Sequence, residues 1–529
     1  MQPATVSPLH PLLADLGVHL MGDYAGQTAL CECGREMVEA VRHMQIPYEV
    51  LDLPLSPGRM PLSKRFALPE GHSAPPRAPL SIISWNGDAY NIIGESLPGS
   101  WLQNRRIVGV WYWETEQEPP KAHLDGYQWV DEVWVTSQFI ADNLSRTAPV
   151  PVRKFPHLMK PLAVPDSLEL PAPLQNDRFV FLFSFDFRSV TRRKNPHAVC
   201  ESFIRAFPSP SPDGPLCVIK SIAGQSHHEL EWLELTTRYR HRPDILFLDG
   251  WMTPVQRNSL MARANCYVSL HRSEGLGLTL MECMSLGKPC IATGYSGNLE
   301  FMTPENSWLI PYQIVAVGAG ALPYPPNHIW AEADIPTAAA AMKEVYANPD
   351  LALKKGLLGQ ATIRNRHGID AVAARLLELM TQVISSPVRA KKPHPLEAPS
   401  SPDPSGAEGT HASDSASASR KSGREKAYQF IKEAKGLEKA ARQQRKALSP
   451  SKVPPQVEAY LQTLERLVQI QSKIHSATLH DLGEVKARVS NYHGEILDTL
   501  VRDRELMKNI LLHLAPKSRQ DNDAANPPD

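Results

Sequence analysis

Apolar runs alternate with helix-like stretches along the first part of the chain. The predicted buried strands of this part lie at 19–24, 48–53, 80–85, 106–113 and 131–137. The segments 34–44 and 138–146 have apolar residues at helical spacing, and Ser137 is a suitable N-cap for the second. Because strands that alternate with helices usually form a parallel sheet covered on both faces, residues 1–160 are predicted to form an α/β domain.

The same alternation returns beyond a Pro-rich stretch, residues 161–175, which is predicted to link two domains. Asn195-Pro196 and Thr253-Pro254 each combine an N-cap residue with a proline suited to the first helical position. The predicted buried strands of this part lie at 179–185, 216–222, 244–250, 265–271 and 288–293. Residues 176–385 are therefore predicted to form a second domain. The predicted fold class is α/β with two Rossmann-like domains in tandem, and the pattern leaves their strand order open.

The composition changes after residue 385. Residues 386–423 are rich in Pro, Ser and Ala and have little to bury, which predicts a disordered linker. Residues 424–515 return to helical spacing and are predicted to form a helical extension. The stretch 420–446 holds ten Lys and Arg residues against three Glu. The extension could associate with a second copy, a partner or a membrane surface, or pack as a hairpin on its own core, and these interpretations stay open.

Charge and cysteine content narrow the function classes. Lys plus Arg equals Asp plus Glu at 56 each, so the overall charge does not favour nucleic acid as a partner. The seven cysteines have no zinc-ligand spacing, which is typical of reduced thiols in the cytoplasm. The N-terminal residues lack signal-peptide features, and no apolar run approaches the roughly 18 residues of a membrane span. We therefore expect a cytoplasmic protein that binds no nucleic acid, with contact to the inner membrane face left open.

The segment SEGLGLTLMECMSLGKP, residues 273–289, places two glutamates in a loop and in the helix that follows it. A predicted strand precedes the loop, so the loop lies where open α/β sheets bind ligands. A helix N-terminus binds phosphate, and Gly275 and Gly277 allow the backbone to approach closely. Glu274 is an acid beside this anion site, which makes sense if it accepts hydrogen bonds from hydroxyl groups on the molecule that carries the phosphate. Glu282 lies eight positions further on and could reach another hydroxyl, such as that of a ribose. A diphosphate between two polyols meets both needs, so we predict a nucleotide sugar as the ligand.

A basic loop after the first strand of the second domain supplies countercharge. The segment FSFDFRSVTRRKNP carries Arg188, Arg192, Arg193 and Lys194. A leaving diphosphate gains about one negative charge, and a cation at about 4 Å contributes roughly 4 kcal/mol at an effective dielectric of about 20. With these cations no metal is needed, and no D-x-D motif lies at a suitable strand end to hold one. No other cofactor is expected.

Several segments resemble one enzyme family. S-E-G-L-G-L-x-L-x-E-x-M, residues 273–284, resembles the E-x7-E signature of family 4 retaining glycosyltransferases, which have the two-domain GT-B fold. The basic loop resembles the donor loop in a bacterial branch of that family. GVWYWETEQEPP and VDEVWVTSQFIADNL resemble its N-terminal domain, and GNLEFMTPENSWLIPY and residues 324–334 resemble later segments. The resemblance covers about residues 18–380.

The resemblance implies roles for individual residues. Glu274 would contact the donor sugar near the reacting centre, and Glu282 would bind the ribose. Arg188 and Lys194 would hold the diphosphate, and Arg193 is the alternative to Arg188 for this contact. The family retains anomeric configuration by attack on the same face as the leaving group, which requires no carboxylate nucleophile. Four backbone amides would complete the phosphate cradle, those of Gly275, Leu276, Gly277 and Leu278.

Two features depart from the family pattern, a four-residue turn and a single residue. Both concern the acceptor side and the contacts with the sugar. Where the bacterial branch usually has a G-L-G-E-like turn, this chain has Ala29-Leu30-Cys31-Glu32. Where related enzymes often have a histidine, Trp113 precedes Glu114. These differences leave the donor loop unchanged.

Three hypotheses follow for the function. The leading one is a metal-independent retaining glycosyltransferase that moves a hexose from a nucleoside-diphosphate sugar to a glycan or lipid-linked acceptor, as in polysaccharide biosynthesis. The alternative is a catalytically weak nucleotide-sugar-binding scaffold that acts through its helical tail. A GT-B epimerase or phosphorylase is the third, although no lysine motif for a pyridoxal cofactor is evident.

Overall fold

The computed structural model describes residues 9–26, 28–53, 77–96, 102 and 105–391, all within one unit that spans Met1–Ala398. Most of the predicted linker at 386–423 and all of the predicted helical extension at 424–515 lie outside the described residues. Within the described part, the two predicted α/β domains follow one another along the chain.

The first domain is built on parallel strands. In chain order they are β1 (Val18–Gly22), β2 (Tyr48–Asp52), β3 (Leu80–Ser84), β4 (Arg106–Val110), β5 (Glu132–Val135) and β6 (Val152–Lys154). They lie side by side in the order β2-β1-β3-β4-β5-β6, which confirms the predicted parallel sheet. β2 was predicted as a buried strand, but it lies at the sheet edge and exposes Tyr48, Glu49 and Val50. The short edge strand β6, only partly buried, has no apolar run that predicts it.

The second domain repeats the parallel architecture. Its strands are β7 (Val180–Asp186), β8 (Leu216–Ile222), β9 (Ile245–Asp249), β10 (Cys266–Ser269), β11 (Cys290–Thr293) and β12 (Trp308–Ile310). Their order is β12-β11-β10-β7-β8-β9, so the chain starts in the middle, builds outward to β9 and returns to the other side of β7. This reversal opens a crevice beyond the carboxyl ends of β7 and β10. The basic loop follows β7. The loop that contains Glu274, called the glutamate loop below, follows β10.

Helices cover both sheets. α2 begins five residues before the predicted segment 34–44, because its first turn includes Ala29–Glu32. In chain order the α-helices of the described residues are α1 (Pro11–Leu16), α2 (Ala29–His43), α3 (Tyr90–Ser96), α4 (Lys121–Leu124), α5 (Gln138–Leu144), α6 (Thr191–Lys194), α7 (Pro196–Ala206), α8 (Gly224–His227), α9 (Glu229–Tyr239), α10 (Pro254–Arg263), α11 (Leu278–Ser285), α12 (Ile335–Ala347), α13 (Pro349–His367) and α14 (Ile369–Ser385).

Helix caps follow the predictions in two of three cases. The Ser137 side chain accepts a backbone N–H bond at 3.3 Å at the start of α5. Thr253 forms a capping box at the start of α10. Asn195 stands at the N-cap position of α7, but its side chain donates to Glu332 Oε1 at 3.1 Å and does not cap. The position was predictable from local sequence, whereas the long-range partner was not.

An antiparallel hairpin, β13 (Tyr312–Ala316) and β14 (Ile329–Ala333), follows the second sheet. Its connecting loop, residues 317–328, is called the crossing loop below. The loop and the base of the hairpin reach into the aromatic core of the first domain, which contains Trp111 and Trp113. The buried residues that they contribute to this core are Val317, Ala321, Tyr324 and Trp330.

The last described helix also joins the first domain. α14 buries Leu376, Leu379 and Val383 in a core that includes Met37 and Val41 of α2. Beside it, Met159 N–H donates to the His367 carbonyl at 2.8 Å, so the two segments that connect the domains run next to each other. α14 lies inside the range 176–385 expected for the second domain; the predicted domain boundaries stay a prediction.

Candidate active site

The glutamate loop lies between the end of β10 and the start of α11. Gly277 has a φ of 92° and forms the N-cap of α11, a conformation that favours glycine. A Cβ atom on Gly297 would lie 2.0 Å from the Gly275 carbonyl oxygen, so this neighbouring position also requires glycine. The Glu274 N–H donates to Ser296 Oγ at 2.8 Å, which ties the loop to the turn after β11. The loop is therefore held rigidly at the sheet edge.

Two cations of the basic loop converge on Glu274. Lys194 Nζ donates to Glu274 Oε1 at 2.6 Å, and Arg193 Nη1 lies 3.3 Å from Glu274 Oε2. Arg193 also donates to the Ser273 carbonyl at 2.8 Å and is 4% exposed. The sequence-predicted residues Glu274, Arg193 and Lys194 thus form one cluster, called the Glu274 cluster below.

The electrostatics of the Glu274 cluster favour the charged forms of Glu274 and Arg193. Burial alone would raise the pKa of Glu274, but the charges of Lys194 and Arg193 outweigh it and lower this pKa from 4.5 to about 2. Burial lowers the pKa of Lys194, and Glu274 opposes that effect. The pKa of Arg193 is raised in spite of burial, since nearby Tyr324, Glu274 and Glu114 favour its charge. At neutral pH Glu274 is a carboxylate.

The other arginines of the basic loop point elsewhere. Arg188 is exposed and pairs with Asp186, with Nη2 to Oδ2 at 2.8 Å, and its guanidinium lies 5.7 Å from the Trp251 ring centre. Arg192 donates to the Val317 carbonyl at 2.8 Å. Of the two rivals for the diphosphate, the structure brings Arg193 to Glu274 and leaves Arg188 beside Asp186.

Glu282 lies one turn into α11 and has a different environment. Its side chain is 15% exposed, and Arg257 Nη2 lies 3.5 Å from its Oε1. Burial raises the pKa of Glu282 from 4.5 to about 6, helped by the carboxylates of Glu36 and Glu32. Because those two residues belong to α2, Glu282 faces the first domain across the cleft.

Residues of the first domain reach the glutamate loop directly. Ser137 Oγ donates to the Gly275 carbonyl at 2.7 Å. The Ser273 hydroxyl donates to the Glu114 carbonyl, and Tyr324 Oη donates to Glu114 Oε2 at 2.8 Å. Glu114 directly follows Trp113, where the chain departs from the family pattern. Ser273 and Tyr324 were not predicted as site residues. The signal available for Tyr324 was its place as the first residue of the segment 324–334, which resembles the family.

Outside this cluster, the described residues contain no candidate metal site, no disulfide and no candidate membrane-spanning helix. Over the described ranges, no group of three His, Cys, Asp or Glu side chains is placed to hold a metal ion. All seven cysteines are free and buried. No helix in the described part of the chain has the length and apolar character needed to cross a membrane.

Comparisons with known proteins agree with this architecture. Residues 187–316 match the family model described as glycosyl transferases group 1. No curated protein is significantly similar to the chain in sequence. Sucrose-phosphate synthase from Thermosynechococcus elongatus has a similar structure, with a TM-score of 0.50 and 18% identity over 70% of this chain and 99% of its own.

Two other solved structures show weaker similarity. HepE from Anabaena, solved with UDP and glucose, has a TM-score of 0.47 and 13% identity over 69% of this chain and 99% of its own. TarM from S. aureus, in a complex that contains UDP, has a TM-score of 0.43 and 12% identity over 58% of this chain. The chain spans only 55% of the length of TarM. Residues 187–316 of the second domain are thus similar to glycosyl transferases group 1, and the two domains together have the GT-B fold.

Proposed function

We propose that this protein is a family 4 retaining glycosyltransferase that moves a hexose from a nucleoside-diphosphate sugar to a glycan or lipid-linked acceptor without a metal ion. The observation that carries the proposal is the Glu274 cluster. Arg193 and Lys194 both contact Glu274 beside the amino end of α11. This contact lies where the strand order of the second sheet reverses, beyond the carboxyl ends of β7 and β10. This arrangement combines cations and free helix N–H groups for a diphosphate with a carboxylate for sugar hydroxyls.

In this proposal the catalytic residues are Glu274, Lys194 and Arg188, and Arg193 binds the donor beside them. The two cations nearest Glu274 stabilise the charge that develops on the departing diphosphate. The backbone N–H groups of Gly275 to Leu278 complete its cradle, and Glu282 accepts a hydrogen bond from the ribose. Arg188 reaches the diphosphate only after it leaves Asp186, since the two side chains are now paired.

The reaction would proceed on one face of the sugar. The bond between the anomeric carbon and the diphosphate oxygen breaks while the acceptor oxygen forms its bond to the same carbon. The proton of the acceptor hydroxyl passes to the departing diphosphate oxygen. Because the acceptor attacks the face from which the diphosphate departs, the configuration at the anomeric carbon is retained. Glu274, ionised at neutral pH, orients the sugar through its hydroxyl groups.

We also place the protein in the cytoplasm. Support comes from the seven cysteines, all of which are free thiols. Free thiols are expected in a reducing compartment. Peripheral contact with the inner membrane face and self-association through the C-terminal helices belong to the same proposal. Both would involve residues that lie outside the described ranges.

The proposal predicts that the intact protein releases a nucleoside diphosphate from at least one member of a panel of UDP- and GDP-sugars. Glu274→Ala should lower this turnover by about 10²–10³-fold, the usual cost of one preorganised contact in a reacting centre. Glu378→Ala, which removes an exposed acid paired with Arg375 on α14, serves as the control and should not change the rate. Equal rates for Glu274→Ala and the control would reject the assignment.

The second candidate function is a catalytically weak nucleotide-sugar-binding scaffold that acts through its helical tail. It is favoured by the first turn of α2, Ala29–Glu32, which carries side chains where the bacterial branch usually has glycines. Binding of a nucleotide sugar without diphosphate release, and biological function retained in Lys194→Ala, would support the scaffold.

A further inference from the structure

The crossing loop connects the two domains at the reacting centre. Its polar contacts with the first domain include a 3.1 Å hydrogen bond between Thr115 Oγ1 and His328 Nδ1. Just after it, Ile329 N–H donates to Gln117 Oε1 at 3.0 Å. The loop therefore lies along the segment that follows β4, which is where Glu114 is found.

Tyr324 of the crossing loop contacts both domains with one side chain. Its hydroxyl donates to Glu114 Oε2 at 2.8 Å, and its ring centre lies 5.4 Å from that of Trp113. On the other side, the Arg193 guanidinium lies 5.9 Å from the Tyr324 ring centre. The residue is 4% exposed, so these contacts are shielded from solvent. Tyr324 thus links a first-domain acid to a second-domain cation of the Glu274 cluster.

Glu114 is held at a second point as well. Its carbonyl accepts a hydrogen bond from the Ser273 hydroxyl, and the Ser273 carbonyl accepts one from Arg193 at 2.8 Å. A closed ring of contacts therefore runs through Glu114, Tyr324, Arg193 and Ser273. Such a ring fixes the direction of the Glu114 carboxylate relative to Glu274.

The same contacts would also arise if Tyr324 merely joined the two domains. The structure contains another bond of that kind for comparison, in which Tyr295 Oη donates to Glu116 Oε1 at 3.0 Å. Tyr295 packs against Phe139 and Tyr312. A purely structural role for Tyr324 would make the loss of either hydroxyl equivalent.

We propose that Tyr324 is a positioning residue for transfer, which aims the Glu114 carboxylate at the Glu274 cluster so that Glu114 accepts a hydrogen bond from a sugar hydroxyl in the cleft. A hydroxyl is the fitting ligand, since a second carboxylate beside Glu274 would repel phosphate and accept hydrogen bonds from a polyol. Glu114 and Glu274 then contact the transferred sugar from opposite domains. This inference rests on the proposed glycosyltransferase function.

The test is a double-mutant cycle on the full chain, with diphosphate release from the best donor as the assay. Tyr324→Phe keeps the ring beside Arg193 and Trp113 and should lower kcat about tenfold, while the donor KM changes less than about twofold. In a Glu114→Ala background, adding Tyr324→Phe should change kcat by less than about twofold, because its effect acts through Glu114. Tyr295→Phe, the matched control, should leave kcat unchanged in both backgrounds.

Several outcomes would overturn the positioning role. They are a kcat for Tyr324→Phe equal to that of Tyr295→Phe, a loss that multiplies with Glu114→Ala, or a rise in KM alone. Thermal unfolding of each variant separates a folding defect from a catalytic one. If the wild-type protein turns over and Tyr324→Phe has the same kcat as wild type, only this inference fails. If the wild-type protein releases no diphosphate from any donor, the proposed function fails and this inference with it.

Discussion

At the scale of single residues, two cationic side chains, Arg193 and Lys194, contact one acid, Glu274. Spacing in the sequence singled out Glu274 and Lys194, and the structure joins them by a 2.6 Å bond. Spacing did not distinguish Arg188 from Arg193, because both belong to the same basic loop. The loop turns through a short 3-10 helix and α6, and this turn buries Arg193 and leaves Arg188 exposed.

This difference predicts unequal effects of the two arginines on turnover. Arg193→Ala should lower kcat/KM for the donor by about 100-fold or more, since a buried charge acts in a medium of low dielectric. Arg188→Ala should lower it less, by about tenfold, because Arg188 has to leave its ion pair with Asp186 to reach the diphosphate. Steady-state kinetics on the two variants measures the contrast. A loss in Arg188→Ala as large as that in Arg193→Ala would contradict this ranking.

At the scale of elements, α11 carries two environments within a short distance. Its amino end borders the cationic Glu274 cluster, and its second turn faces α2, whose Glu32 and Glu36 act on Glu282. The sequence predicted the helix and the position of Glu282 on it. It did not reveal that the facing element would be acidic, since α2 is more than 200 residues away in the chain.

The α11–α2 contact predicts a pH dependence of stability. The pKa of Glu282 is about 6 in the folded protein and 4.5 when unperturbed, so between these values the folded state binds more protons than the unfolded state. The free energy of unfolding therefore falls as pH rises from 4.5 through about 6, by about 2 kcal/mol for this group. Glu282→Gln should remove this fall.

Denaturant unfolding at pH 4.5 and pH 7 measures the effect, with Glu378→Gln as an exposed control. Each variant is compared with the wild-type protein at both pH values. Glu282→Gln should gain stability relative to wild type only at the higher pH. If the free energy of unfolding of Glu282→Gln changed with pH in the same way as that of the wild-type protein, the assigned environment of Glu282 would be contradicted.

At the scale of the whole molecule, segments distant in sequence complete the cores of the first domain. α14 packs on the core of the first domain, and the crossing loop enters that domain's aromatic cluster. Apolar periodicity predicted neither placement, because it shows which face of an element is buried and not which partner buries it. The two parallel sheets were predictable from the sequence, since most of their buried strands contain a run of apolar residues, although the short strand β12 was not predicted.

The cleft between the sheets predicts stabilisation by the donor product. A nucleoside diphosphate at about 100 times its Kd should stabilise the protein by roughly 2.7 kcal/mol and raise its Tm. The matching nucleoside without phosphates should raise the Tm much less, and Lys194→Ala should lose most of the difference. Thermal unfolding with each ligand measures this. Equal shifts in wild type and Lys194→Ala would place the diphosphate elsewhere.

The apolar pattern was sufficient to predict the two α/β domains and to single out Glu274 and Lys194, because buried parallel strands and the loops at their ends have local signatures. The folded chain was needed to show that Arg193, and not Arg188, contacts Glu274, that Glu282 faces α2, and that Tyr324 reaches Glu114. These facts depend on strand order and on contacts between distant segments. Side-chain spacing along one chain carries no information about either.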